Sequence, residues 1–318
     1  MINVPTTEER VWAVLSHLSA IAFGMGILLP VIAWSEQRRK SNYASFHSLQ
    51  ALGYQSLGYT FWILGSFVII VIHSLFTVRE VVSAAQSGED PARFLGPVMT
   101  LHFVVMIVLI AVYFLPPVIA AVATSMGRDF RYPILGNRLA HYLGYDSAKK
   151  ADGQTWLIEE YEDRWVVSMG HFSVIIALWG ILAPLTAWIL QGKRSFFLKF
   201  QSIQAVVFQT SVMLLYLLAG VIYVFGFMAF ILTVGIGGDE SGTSGGMIGL
   251  AILFISMLVA MFIVLLIPSF HILGQWAGYR VLKGDNYCYA LIGRLVEKWT
   301  AGNSLSASDT DVMKSKVV

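Results

Sequence analysis

The stretch that decides the fold occurs twice in the chain. Residues 10–55 read RVWAVLSHLSAIAFGMGILLPVIAWSEQRRKSNYASFHSLQALGYQ, and residues 164–209 read RWVVSMGHFSVIIALWGILAPLTAWILQGKRSFFLKFQSIQAVVFQ. The two stretches align without a gap at a constant offset of 154 residues, and their matched positions include His17 with His171 and Gln55 with Gln209. Self-similarity at a fixed spacing indicates a duplicated structural unit. We therefore interpret the chain as two tandem copies of one unit.

The composition indicates that both copies lie in a lipid bilayer. Apolar residues make up 57% of the 318 residues and charged residues only 13%, whereas soluble proteins carry about a quarter charged residues. A net charge of +2 is too small to indicate a nucleic-acid partner. The single cysteine, Cys288, excludes an intramolecular disulfide and a cysteine-based metal site.

Six apolar stretches are long enough for a helix to cross about 30 Å of hydrocarbon. They predict an all-α, polytopic membrane bundle of two tandem repeats with pseudo-twofold symmetry, whose core is the long helix after each basic turn. The stretches are 11–34, 50–78, 97–124, 165–190, 203–234 and 248–276. The predicted domains are a first membrane repeat (1–150), an acidic, solvated connector (151–163), a second membrane repeat (164–300) and a disordered tail (301–318).

The positive charges constrain the topology. Three simple spans per repeat would insert the second repeat upside down, and the 21 Lys and Arg residues would divide almost evenly between the two sides. If the first stretch of each repeat enters and leaves on the cytoplasmic side, all but Arg79 and Arg93 lie inside, as the positive-inside rule requires. We expect breaks near Gly24-Met25-Gly26 and near Gly180. The alternative is a single proline-kinked helix in an inverted repeat, as some transporters have.

Short motifs at matched positions resemble a known family. The basic turn runs into Phe46-His47-Ser48-Leu49-Gln50-Ala51 in the first repeat and Phe200-Gln201-Ser202-Ile203-Gln204-Ala205 in the second, and a closing Phe130-Arg131-Tyr132-Pro133 follows in the first. These motifs resemble an uncharacterised bacterial membrane domain related to the Tic-twenty-like subunit of the chloroplast protein translocon. The second repeat departs from the pattern at Asn286-Tyr287-Cys288-Tyr289, which lacks the Arg and Pro. The resemblance implies a fold and a scaffold or translocon-type role.

A pair of intramembrane histidines is the first candidate site. His17 and His171 occupy matched positions inside apolar stretches, each followed two residues later by Ser19 or Ser173. Ionisable residues in a membrane are costly and mark functional sites by default. Two interpretations stay open: neutral histidines that form interhelical hydrogen bonds, and a pair of axial ligands to a haem or chlorin. We otherwise expect no cofactor and no metal site.

Two further groups of polar residues are candidates. Gln50, Gln55, Gln204 and Gln209 begin the second span of each repeat and predict a polar collar, which either lines a vestibule between the repeats or forms interhelical hydrogen bonds. The basic turns contain candidates for binding lipid headgroups or for setting orientation. These candidates are Arg38, Arg39, Lys40, Lys193 and Arg194.

Three function classes follow. The first is a non-enzymatic scaffold or translocon-type component with membrane-protein partners or further copies of itself, since the sequence lacks catalytic and phosphate-binding motifs. The second is a transporter of a small solute, ion or lipid with a site between the repeats. The third is a histidine-ligated cofactor subunit of an electron-transfer complex. We expect location in the bacterial cytoplasmic membrane, with most loops and both termini cytoplasmic, lipids as partners and no nucleic acid.

Overall fold

The computed structural model describes residues 5–88, 92–146, 156–236 and 242–300. Within these ranges every regular element is a helix, which confirms the all-α class of the fold. The predicted disordered tail lies outside the described residues. The helices are α1 (Thr7–Leu18), α2 (Leu28–Gln37), α3 (Asn42–Gly53), α4 (Tyr59–Ser87), α5 (Ala92–Ser125), α6 (Leu135–Leu143), α7 (Glu159–Phe172), α8 (Leu182–Gln191), α9 (Phe196–Ile236), α10 (Gly242–Leu282) and α11 (292–300).

The first apolar stretch of each repeat is a hairpin. A 3-10 segment joins α1 to α2 and contains Phe23 at φ 54°, and a matching segment joins α7 to α8 and contains Ala177 at φ 48°. The length and composition of Thr7–Gln37 would allow it to cross a membrane. However, the Gln37 side chain at its end donates a hydrogen bond to Glu8 at its start, at 3.2 Å. The two ends therefore lie on the same side, and each break lies at most three residues before its predicted position.

Two matched glycines make the hairpins possible. A Cβ atom on Gly26 would lie 1.9 Å from the carbonyl oxygen of Ser19, and one on Gly180 would lie 2.0 Å from that of Ser173. No side chain fits at such distances. In the second repeat the two arms also pack directly, because a Cβ on Gly170 would lie 3.1 Å from Pro184 Cβ.

Four long helices carry the lipid-facing surface. The large apolar side chains of 61–82 on α4, 99–122 on α5, 214–234 on α9 and 247–273 on α10 are mostly exposed. A stretch of about 20 residues crosses the hydrocarbon layer, so each of these lengths is sufficient without the hairpins. Phe23 at the first hairpin tip packs against Tyr59 and Trp62, where the exposed part of α4 begins. The hairpins therefore lie beside one end of the membrane-crossing parts of these four helices. We call this end of the molecule, which contains the hairpins, the base.

The buried core lies in this base and joins the two repeats. Trp34 and Leu49 of the first repeat pack with Trp165 and Met169 of the second, and the Trp165 indole donates to the Leu49 carbonyl at 2.9 Å. The helices after the basic turns, α3 with α4 and then α9, contribute to the packed clusters only as far as Tyr59 and Val212, which corrects the expectation that they form the core. Their remaining lengths instead provide the surface for lipid.

The equivalent helices α2 and α8 contact each other, but the contact that α7 makes with the first repeat has no counterpart at α1, which corrects the expected twofold relation. Helix α7 of the second repeat covers the surface of α3 and α6 in the first, through Trp165 against Gly53 and Tyr161 stacked on Tyr142. The matching face of α1 is exposed, since Val11, the equivalent of Trp165, is 48% exposed. A twofold axis would have covered both faces.

Candidate functional site

Each candidate histidine is the centre of a buried hydrogen-bonded chain. His17 contacts the Tyr132 hydroxyl through Nδ1 at 2.9 Å and His47 Nδ1 through Nε2 at 3.2 Å. His171 contacts the Tyr289 hydroxyl through Nδ1 at 3.1 Å and Gln201 Oε1 through Nε2 at 3.1 Å. The same geometry is thus built twice, with the tyrosine after the last long helix of each repeat.

One set of tautomers satisfies both chains. The Gln201 amide oxygen is an acceptor, so His171 carries its proton on Nε2 and accepts the Tyr289 hydroxyl at Nδ1. Burial raises the pKa of Tyr132 and of Tyr289 well above the ordinary value, so both phenols are protonated donors. The same arrangement in the first repeat makes His17 the donor to His47. Each chain of hydrogen bonds therefore runs in a single direction away from the tyrosine.

The two chains end differently. In the first repeat His47 Nε2 faces the Asp129 carboxylate at 3.5 Å, and Asp129 also pairs with Arg131 at 3.0 Å. In the second repeat Gln201 donates to Asn286 Oδ1 at 2.6 Å and to the Tyr287 carbonyl. The imidazole and carboxylate of the first repeat are thus replaced by two amides. On the side of the histidine that faces away from the tyrosine, only the first chain has titratable groups, namely His47 and Asp129.

Two of the predicted collar glutamines bind the loop that contains the tyrosine, from α3 in the first repeat and from α9 in the second. Gln50 accepts from the backbone N–H of Tyr132 at 3.0 Å and donates to the Phe130 carbonyl at 3.0 Å. Gln204 makes the same two bonds with the backbone of Tyr289 and Tyr287, each at 3.1 Å. These side chains are buried and position the tyrosine of the histidine chain.

The other two glutamines stabilise the hairpin break. Helix α1 ends at the 3-10 segment, so its last carbonyls lack helical partners. Gln55 donates to the Ser16 carbonyl at 3.3 Å and to the Ser19 hydroxyl at 3.0 Å. Gln209 donates to the Gly170 carbonyl at 2.6 Å and to the Ser173 hydroxyl at 3.4 Å. The histidine, serine and glutamine candidates of each repeat therefore form one connected, buried region within that repeat.

The basic candidates separate into two groups. Arg38 is buried, stacks on Trp34, and pairs with Glu162 and with Asp163, at 3.4 and 2.7 Å. Arg39 and Arg194 pair with Glu159 on the same acidic segment, at 2.6 and 3.1 Å. The expected solvated connector is therefore wrong for residues 159–163, which bind the basic turns of both repeats.

The two lysines of the basic turns differ from these arginines. Lys40 is exposed and pairs with Glu36 at 3.6 Å on its own turn. Lys193 is exposed beside an open groove. Among the five basic candidates, these two do not pair with residues 159–163, so their ammonium groups are the most accessible to a headgroup.

The imidazole geometry limits cofactor chemistry. Both ring nitrogens of His17 and of His171 already lie within hydrogen-bond distance of a protein group. Axial ligation would require each ring to give up one of these contacts. Among the described residues, no cluster of three or more His, Cys, Asp or Glu side chains is arranged to hold a metal ion.

Sequence reasoning missed the partners of the histidines. His47 stood alone because its equivalent in the second repeat is Gln201, and a search for identical residues discards that pair. Asp129 matches Asn286 and Tyr132 matches Tyr289, but only at an offset of 157, after three further residues in the second repeat. The detectable signal was the exchange of imidazole and carboxylate for amide at matched positions.

The duplication agrees with a comparison against family models. The model of the magnetosome magnetite crystal formation protein family, MamF/MmsF, matches the chain twice, over residues 8–139 and 162–296. The chain belongs to this family. The two matched segments each contain one hairpin and one histidine chain, which makes the protein a tandem member of MamF/MmsF. Neither a curated protein nor a solved structure matches the chain.

Proposed function

We propose that this protein is a non-enzymatic membrane scaffold that supports magnetite crystal formation by holding partner proteins in the membrane. The family match supports the context, since its description names magnetosome magnetite crystal formation. The motif resemblance to the Tic-twenty-like translocon subunit supports a role in binding protein segments within the bilayer. The lipid-facing helices are the surface on which membrane partners would pack.

One observation carries this proposal. The histidine and glutamine candidates of each repeat are buried and hydrogen-bonded within that repeat, whereas the apolar sides of α4, α5, α9 and α10 are exposed along about 20 residues each. Buried polar groups that are hydrogen-bonded to their surroundings stabilise a framework. The chemistry accessible from outside is therefore mainly that of an apolar helix surface, together with exposed basic side chains such as Lys40 and Lys193.

The alternatives fit the geometry less well. A transporter site was expected between the repeats, but that region contains the packed core around Trp165 and the ion pairs of Arg38. An electron-transfer subunit needs open imidazole nitrogens, which the contacts of His17 and His171 occupy. Both alternatives would require the base to open.

Deletion in a magnetosome-forming bacterium tests the proposal. We expect smaller or misshapen crystals by electron microscopy, with normal iron uptake, and restoration by the wild-type gene. A fluorescent fusion should lie along the magnetosomes. Unchanged crystals, or a fusion confined to other membranes, would contradict the proposed role.

The proposed orientation places both hairpin openings and both termini on the cytoplasmic side. On a background with Cys288→Ser, and in a host without magnetosomes so that the protein lies in the cytoplasmic membrane, we expect cysteines at Lys40 and Lys193 to be shielded from an impermeant thiol reagent in intact cells, and one at Ser87 to react. Ser87 lies at the far end of α4 and is the control for reagent access. Opposite reactivity of Lys40→Cys and Lys193→Cys would show an inverted repeat and favour the transporter.

A further inference from the structure

An open groove lies on the base of the second repeat. It has a volume of about 750 Å³ and is formed by α8, the start of α9 and α11. Its lining includes Trp188, Lys193, Lys199, Ile203 and Trp299. Neither lysine has an acidic partner within the part of the chain that the structure describes. Trp299 is 69% exposed in the single molecule.

The matching surface of the first repeat is covered. The equivalents of Trp188 and Ile203 are Trp34 and Leu49 at an offset of 154, and the equivalent of Trp299 is Tyr142 at an offset of 157. All three contact α7: the Trp34 indole donates to Glu162, the Leu49 carbonyl accepts from Trp165, and Tyr142 packs against Tyr161 and Trp165. The groove is therefore the place where a third repeat would dock.

The element that would fill the groove is α1, which is the equivalent of α7. Val11 and Leu15 on α1 match Trp165 and Met169. The α1 residues are 48% and 40% exposed, whereas the α7 residues are buried. Within one molecule α1 does not contact the groove. Each molecule therefore exposes both surfaces of such an interface, the face of α1 on the first repeat and the groove on the second.

The side chains at these two surfaces are complementary in size. In the covered interface the large Trp165 packs against Gly53, where a Cβ would lie 2.5 Å from the indole ring. In the open interface the equivalents are the smaller Val11 and the larger Val207. The exchange of a large and a small residue across one contact conserves the volume between the helices.

The charges are complementary as well. Glu8 on α1 is exposed and matches Glu162, the residue that Arg38 binds in the covered interface. Gly192 occupies the position equivalent to Arg38, and the basic groups of the groove are instead Lys193 and Lys199. The acidic start of α1 is thus complementary in charge to the basic groove, as the acidic start of α7 is to Arg38 in the interface between the repeats.

We propose that a second copy of this chain docks its α1 into the groove of the second repeat and so continues the contact between the repeats from one molecule to the next. A contact of this kind joins two different surfaces, and repetition therefore produces a ring or an open filament rather than a twofold dimer. This inference deepens the proposed scaffold function by naming one of the scaffold's partners. The biological role of the contact rests on the proposed function, but the evidence for the contact itself does not.

Cross-linking of paired cysteines tests the contact. With Cys288→Ser in place, Val11→Cys with Val207→Cys should form disulfides between molecules in oxidised membrane vesicles and yield a ladder of dimers, trimers and higher species on a non-reducing gel. The matched control is Val11→Cys with Leu214→Cys, because Leu214 lies two turns further along α9 on an exposed, lipid-facing side. Equal cross-linking of the two pairs would overturn the proposal.

An exchange of charged residues distinguishes the docking of a second copy from the binding of a lipid in the groove. We expect Glu8→Lys alone, or Lys193→Glu with Lys199→Glu, to reduce the ladder at least fivefold, and all three substitutions together to restore it. An anionic lipid in the groove predicts a different result: the lysine variants lose phosphatidylglycerol in native mass spectrometry, Glu8→Lys has no effect, and no restoration follows. That result would overturn the docking of a second copy while leaving the scaffold proposal testable by crystal size.

Discussion

At the scale of single residues, the two histidine chains differ in their capacity to ionise. His47 and Asp129 in the first repeat occupy the places of Gln201 and Asn286 in the second. An amide supplies a donor and an acceptor in the same directions without carrying charge. The second repeat therefore preserves the bonding of the first without its titratable pair, and we expect that the fold of this region does not depend on charge.

The chains predict the effect of exchanging their members. His47→Gln with Asp129→Asn should change the free energy of unfolding by less than about 1 kcal/mol, because the second repeat folds with this pair. His171→Leu should lower it by about 1–3 kcal/mol, because the Tyr289 hydroxyl then lacks its acceptor. Denaturant titration of the detergent-solubilised protein, followed by circular dichroism, measures both. A double amide variant less stable than His171→Leu would show that charge is required.

The sequence was sufficient to find the histidines but not their partners. His17 and His171 could be predicted because the same residue type recurs at the same place in two copies. The partners Tyr132 and Tyr289 come from loops more than 100 residues away in the chain, and their approach depends on how α5 and α10 return to the base. Spacing along the chain contains no information about that return.

At the scale of elements, the hairpin is the feature on which the base depends. It turns at Phe23 and at Ala177, residues that adopt a positive φ at a cost of about 1–3 kcal/mol. Packing of Phe23 against Tyr59, Trp62 and Tyr113 offsets that cost in the first repeat. The charge asymmetry could predict a break, but the residue at which it occurs depends on these tertiary contacts.

The glycines of the hairpin predict a matched set of variants. Gly26→Ala and Gly180→Ala should each destabilise the protein by several kcal/mol, because a methyl group cannot fit beside the carbonyl of Ser19 or Ser173. Gly65→Ala is the control, since nothing lies within 4 Å of its Cβ position, and it should be neutral or stabilise α4 by up to about 1 kcal/mol. Melting temperatures in detergent compare the three. Equal values for Gly26→Ala and Gly65→Ala would refute the hairpin packing.

At the scale of the whole molecule, one buried arginine connects the repeats. Arg38 lies in the first repeat, and the carboxylates of Glu162 and Asp163 come from the second. A buried ion pair is costly to form, but removal of one partner leaves an uncompensated charge. The sequence could not predict this cluster, because a run of acidic residues in a connector carries no sign of which distant basic residue it meets.

Substitution of the arginine should weaken the joint. Arg38→Ala is expected to lower the free energy of unfolding by about 3–5 kcal/mol, since it leaves two buried carboxylates without their cation. Lys40→Ala is the neighbouring control and should cost about 0–1 kcal/mol, because its pair with Glu36 is exposed. Chemical denaturation measures the difference. A loss of similar size in both variants would mean that the ion pairs do not hold the repeats together.

The joint also predicts a dependence on pH. Burial raises the pKa of Glu162 from 4.5 to about 7, although Arg38 and Arg39 act in the opposite direction and Asp163 adds to the rise. The folded state then holds this proton more tightly than the unfolded chain. The stabilisation is complete below pH 4.5 and is lost as the pH rises through 7. The melting temperature should therefore fall between pH 5 and 8, and Glu162→Gln should flatten that slope. An unchanged slope in the variant would assign the effect to another group.

The one-sided joint has a consequence for biosynthesis. A chain emerges from the ribosome with its N-terminal repeat first, and the surface around Trp34, Leu49 and Arg38 is then complete before Glu162 and Trp165 have been translated. During that interval the nascent chain displays an apolar face and an unmatched cation. Translation of α7 ends this interval by covering both. The order of synthesis thus leaves this face uncovered until the second repeat is made, and a first repeat produced alone would keep it exposed.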